Sequence, residues 1–176
     1  MLQRGELDLA IVRGPLETTR GTDQLALHHD ELGVLMAANH PLTRHQQVTC
    51  RQLSGYELIW FPRHVAPGIY DAILEALARN GAHLTVTTGT DSMPAIAAAL
   101  PLLPAAISLS TQHLAAGSPE LAWRPLEGGP LITTVAAVWR SRPRHPALRA
   151  LIAALRRSLA DGPWQDRDVS PADRND

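Results

Sequence analysis

The sequence predicts an α/β fold, and three observations carry that prediction. Short apolar runs of strand character recur from end to end. They alternate with stretches whose apolar residues return at helical spacing. Hydrophobic residues make up 45% of the 176 residues and charged ones 19%, enough for a buried core in one domain or in two small lobes sharing a hinge. Strands alternating with helices call for mostly parallel sheets, whose ligands sit at the C-terminal strand edges.

The first strand is Leu7 to Val12, an apolar run stopped by Arg13-Gly14-Pro15. Leu7, Leu9 and Ile11 point one way and Ala10 and Val12 the other, as in a strand inside a sheet. Leu25–His29 and Leu32–Ala38 are strand-like, and Tyr56–Phe61 ends at Pro62. Pro67-Gly68 opens a helix with Ile69, Ile73, Leu74 and Leu77 on one face, and Asn80-Gly81 closes it. Leu84–Thr88 alternates as a strand. Thr90, Asp91 and Ser92 are all N-cap types, and the helix they start runs to about Leu100. Ala105–Leu109 is a buried strand, and Leu121–Leu126 and Leu131–Trp139 are the last two. The final helix, Pro146–Leu159, lines up Leu148, Leu151, Ile152, Leu155 and Leu159. Residues 161–176 are polar and aperiodic, the pattern of a disordered tail.

Composition narrows the function classes. The net charge of −1 offers no electrostatic pull toward nucleic acid or anionic membrane, although all 16 basic residues are arginines. The lone cysteine, Cys50, excludes an internal disulfide and fits a reducing compartment. The longest uncharged apolar stretch, Met93–Leu109, is broken by Pro94, Pro101 and Pro104 and is too short to span a membrane. With no signal peptide visible, the reading is a cytoplasmic protein without a membrane partner.

Several segments, taken in order, resemble the effector domain of LysR-type transcriptional regulators. Gly5-Glu6-Leu7-Asp8-Leu9-Ala10-Ile11 is similar to the family's G-x-L-D-L-A-I strand. Leu32 to Leu42 looks like its strand ending in H-P-L, here His40-Pro41-Leu42, and Leu53–Pro62 is similar to its following segment. The resemblance covers about residues 2–160. It implies a two-lobe fold of the periplasmic-binding-protein type 2 class, with residues 1–29 and 130–160 in the first lobe and 30–129 in the second. The crossings near His28-His29 and near Leu126–Gly129, with Gly128, would be the hinge, and a small effector would bind between the lobes. The family's DNA-binding helices, linker and first sensing-lobe elements have no counterpart in this sequence, so the first lobe is expected to be incomplete. The family's Gly-x-Gly before the next strand is replaced by Pro104-Ala105-Ala106.

The resemblance also directs attention to Arg13, because the matching position in the aromatic-catabolite branch is an arginine that meets carboxylate effectors. A guanidinium suits that role through its planar fork, although an arginine opening a turn is also ordinary. Thr90 and Ser92 precede a helix whose free N–H groups suit an anion, as well as simple capping, and Asp91 would repel one. Pro62, Arg63 and His64 follow a strand at the same edge and either line the cleft or form a surface loop.

Other constellations are weaker. His28-His29-Asp30-Glu31 invites a metal, but strand alternation leaves two ligands per face where zinc needs three or four. The basic run Arg140, Arg142, Arg144, Arg149, Arg156 and Arg157 lacks interleaved aromatics and reads as a solvated face. Ser108 and Ser110 have no nucleophile elbow around them. The reading is a non-enzymatic sensing domain that takes a small anionic or aromatic-carboxylate metabolite. It needs no cofactor, works as a homo-oligomer, and reaches DNA only through a helix-turn-helix absent from this chain. The alternatives are a transport-type solute-binding protein and a small α/β hydrolase.

Overall fold

The computed structural model describes residue 2 and residues 4–14, 20–129, 131–143 and 145–160. The expected tail at 161–176 lies outside them. The chain divides into two compact units, one joining residues up to Asp30 with those from Thr133, the other Glu31–Ile132. The sequence reading changes lobes after residues 29 and 129, and the units change over at 30 and 132.

The second unit carries a five-stranded sheet. In chain order its strands are β3 (Gly33–Ala37), β4 (Glu57–Trp60), β5 (Thr85–Thr88), β6 (Ala106–Ser110) and β7 (Leu121–Arg124), and in space they lie β5-β4-β6-β3-β7. Every residue of β3 and β6 is buried, because both faces of the sheet are covered. Val34, Met36, Leu58, Trp60, Ile107 and Leu109 face helix α1 (Pro67–Arg79) and its Ile73 and Leu77. The opposite pleat, Leu35, Ile59 and Ala106, packs on Ile96, Ala97 and Leu100 around α2 (Met93–Ala99). This two-sided burial is why these strands read as nearly unbroken apolar runs.

Local chemistry sets the helix limits. Pro67 starts α1, where a missing N–H costs nothing. Asn80 ends it, with its side-chain amide donating to Ala76 O at 2.8 Å, and Gly81 follows at φ 85°. The segment Leu103-Pro104-Ala105-Ala106 makes a turn closed by Ala106 N donating to Leu103 O at 2.9 Å. Proline presets the first central position of such a turn, so the bend before β6 forms without the expected glycines.

The first unit holds β1 (Leu9–Gly14), β2 (Thr22–Glu31) and β8 (Ile132–Arg140) in the order β1-β8-β2; β2 and β8 run across the changeover. Helix α3 (Pro146–Ala160) lays Leu148 and Ile152 on Ala137 and Trp139, with Leu9, Leu25, Leu27 and Leu155 around them. Leu151, expected on that stripe, is 47% exposed. It sits to the flank of the Leu148–Ile152–Leu155 line, beyond what the described residues of this narrow sheet cover.

Several expectations are corrected. The sheets are mixed rather than mostly parallel: β1 with β8, and β3 with both β6 and β7, run antiparallel, and β4 is parallel to β5 and β6. The helices α1 and α2 cross between parallel strands, whereas β3, which follows the chain's passage between units, runs against all four of its sheet-mates, β7 included. The strand expected at Leu121–Leu126 stops at Arg124, and Leu126 makes an isolated bridge with Val48. The helix expected from Thr90 begins at Met93 and tightens into a 3-10 turn over Leu100–Leu102. Among the described residues, no helix is long and apolar enough to cross a membrane.

Candidate functional site

Parallel pairing of β4 with β5 puts Trp60 opposite Thr88, so the segments that follow the two strands leave the sheet at one edge. One carries Pro62 and Arg63, the other Thr90 and Ser92. Four of the five expected effector contacts thus belong to one edge of the second unit, the place where parallel sheets hold ligands. Arg13 belongs to the first unit, at the end of β1.

Arg63 is held in a two-pronged fork. Its Nε donates to Asp71 Oδ1 at 2.8 Å and its Nη2 to Oδ2 at 2.6 Å. The hydrogen bonds and charge of Asp71 raise the guanidinium further above its ordinary pKa, and the fork holds the Asp71 carboxyl below the usual carboxylate value. Both side chains stay exposed, so the fork is screened by water. Ser92 caps α2 by accepting from Ala95 N at 3.4 Å, and Thr90 Oγ1 accepts from Ser92 N at 3.1 Å. Both hydroxyls therefore serve local backbone N–H groups, the capping role the sequence left open beside anion binding.

Arg13 is likewise engaged. Its Nη1 donates to Asp30 Oδ2, while His28 Nε2 lies 2.7 Å from Asp30 Oδ1. Asp30 is 8% exposed and the Arg13 side chain 49%, so the carboxylate is enclosed and the guanidinium keeps open edges. His29 points to the other face and meets Thr134 Oγ1 at 3.0 Å, as strand alternation demands. Among the described residues, no group of three or more His, Cys, Asp or Glu is placed to hold a metal.

Of the expected hinge residues, His28 and His29 are inside β2, ahead of the changeover at Asp30. Gly128, at φ 76°, sits in a turn closed by Gly129 N donating to Leu126 O at 3.0 Å. That backbone conformation favours glycine.

Asp30 and Asp71, the internal carboxylates on the two candidate arginines, are the residues sequence reasoning missed as partners. Asp71 carries a faint signal, a carboxylate in the early turns of a helix just after an arginine loop. Asp30 carries none toward Arg13, because β1 and β2 meet only through β8.

The sequence matches the LysR substrate binding domain family over residues 1–160. It is 25% identical over 154 residues to the HTH-type transcriptional regulator BudR of Raoultella terrigena, covering 86% of this chain and 52% of that protein. It is 23% identical over 165 residues to the Hca operon transcriptional activator HcaR of Escherichia coli K12, covering 90% and 53%. The fold superposes on the BenM effector binding domain with its effector benzoate at a TM-score of 0.76 and 16% identity, covering 94% of this chain and 75% of that one. The chain spans about half the length of the curated relatives it matches. An α/β fold of this topology and a family match across nearly all the described residues lead to one conclusion: the chain belongs to the LysR substrate binding domain family.

Proposed function

We propose that this chain is the sensing part of a cytoplasmic, homo-oligomeric transcriptional regulator. It takes a small anionic metabolite, best an aromatic carboxylate, and reaches DNA through a helix-turn-helix elsewhere in the whole protein. The observation that carries this reading is the gathering of Arg63, Thr90 and Ser92 at one parallel-strand edge in a domain of this family. Arg63 and Arg13 each already hold a carboxylate, Asp71 and Asp30. A ligand carboxylate would take the same geometry by exchange, which makes the two aspartates competitors of the effector. A binding role without catalysis is supported by the surroundings of the candidate nucleophiles. Ser108 Oγ donates to Ile59 O at 2.9 Å, Ser110 Oγ to Thr111 O at 2.7 Å, and Cys50 is buried.

Calorimetric titration with benzoate and related aromatic and dicarboxylic acids tests the proposal. Arg63→Gln should weaken the best ligand about tenfold or more, since a charge-assisted fork is lost. Asp71→Asn should strengthen it by removing the competitor, and Arg13→Lys should weaken it about tenfold through loss of bidentate geometry. Absence of binding by every acid, or turnover of an ester or amide, would overturn the reading. If Arg63→Gln and Arg13→Lys leave affinity unchanged, those side chains leave the site.

A further inference from the structure

The first unit carries a second concave surface, separate from Arg13 and from the edge at Arg63. It is a cavity of about 480 Å³ between α3 and the end of β8, within the ordinary size range of small-molecule sites. Its apolar floor is Trp139 and Ile152, and Ala153 leaves room above them. Arg149, Arg156 and Arg157 stand around the opening, with Asp23 on the β2 side.

Helical spacing explains the clustering. Positions 149, 153, 156 and 157 fall on neighbouring turns of one face, so the small Ala153 makes a hollow flanked by long basic side chains. The charges are unbalanced from within. No Asp or Glu occurs between Arg140 and Ala160. Among the described residues, none of the three arginines forms an ion pair; Arg149 has only a long hydrogen bond, to Pro143 O at 3.4 Å. Asp23 already accepts from Ser141 Oγ at 2.8 Å. Among the described residues, three guanidiniums beside one engaged carboxylate leave a positive, open hollow above the buried Trp139 and Ile152. Guanidiniums are weakly hydrated and match phosphate and carboxylate oxygens geometrically. The last turn of a helix favours arginines by itself, but that effect does not call for Arg149 in the first turn or for a hollow between them.

We infer that the cavity bounded by Arg149, Arg156 and Arg157 over Trp139 is a binding site for a small multivalent anion carrying phosphate or carboxylate groups. The concavity favours a small molecule over a nucleic-acid backbone, which an exposed ridge would serve better.

Inorganic pyrophosphate and citrate are the probes, titrated into the full chain by calorimetry, with phosphorus NMR line broadening for pyrophosphate. Saturable binding is expected for at least one of them. Arg149→Gln combined with Arg157→Gln should weaken it about tenfold or more, given the strength of charge-assisted hydrogen bonds. Arg44→Gln, in the other unit and outside the proposed effector edge, should leave it unchanged. If the double variant loses its far-ultraviolet dichroism, Ala153→Glu, which sets a carboxylate into the hollow, carries the same expectation. No saturable binding by either probe would overturn the proposal. So would equal weakening by Arg44→Gln, which would mean diffuse charge, or displacement of pyrophosphate by tighter-binding duplex DNA of arbitrary sequence.

Discussion

His40 is the first residue after β3 whose environment can be read as a measurable property. It is buried, tilted against Tyr56 at 4.6 Å between ring centroids, and its Nδ1 accepts from Leu42 N at 3.2 Å. Nδ1 must be unprotonated to accept, and burial lowers the ring's pKa below its ordinary 6.5. The sign follows: as pH falls below about 6.5, the unfolded chain takes the proton first. Stability is therefore complete above that value and declines as pH drops toward the folded pKa. Urea melts of the wild type and His40→Asn between pH 8 and pH 5, the span in which histidine titrates, should show a shallower decline for the variant. Parallel curves would remove His40 from that role. Gly33 is set by space rather than by backbone angle, since a Cβ there would stand 2.4 Å from Arg124 O and from the Trp123 ring. A backbone oxygen cannot step aside easily, so Gly33→Ala should cost about 1–3 kcal/mol in denaturant melts. Burial also raises the Cys50 thiol's pKa, and it should react with a thiol reagent only after unfolding.

Among the described residues, β1 is the outer strand of its sheet, paired on one side with β8 in the register Leu9↔Trp139 to Gly14↔Thr134. Ile11 is 57% exposed and Val12 is also at the surface. No proline or lysine between Leu9 and Gly14 blunts the free side, so the strand is a template for pairing. The chain should associate with itself through this edge in a concentration-dependent way. Light scattering after size exclusion should report that association and its reduction in Ile11→Lys. A monodisperse monomer at all concentrations would show the edge to be protected. In the other sheet, Arg124 fastens the chain to itself. Its guanidinium donates to His45 O at 2.7 Å, Thr43 O at 2.8 Å and Trp123 O at 2.8 Å, which tethers the loop after β3 to β7.

At the scale of the whole molecule, the two units differ in how their sheets are covered. The five-stranded sheet is packed on both faces, while the core of the three-stranded one is the small cluster around Trp139 beneath α3. Hydrogen exchange should therefore be slowest in β3 and β6 and fastest among the strands in β1. Equal protection in β1 and β6 would contradict this account. With a net charge of −1, the chain alone should also show no nanomolar, sequence-dependent binding to duplex DNA at physiological salt.

The sequence by itself determined the α/β class, most strands, the three α-helices of the described residues and the family, because two-sided burial writes apolar runs and helical packing writes its own period. It also marked Arg13, Arg63, Thr90 and Ser92 through their positions at strand and helix ends. Only the tertiary structure decided that the sheets are mixed, that Arg13 meets Asp30 across β8, that Arg63 is forked on Asp71, and that three arginines of one helix line an open hollow above Trp139. Strand direction and ion pairing join residues distant along the chain, and local periodicity reports only which face a side chain takes, never what it meets there.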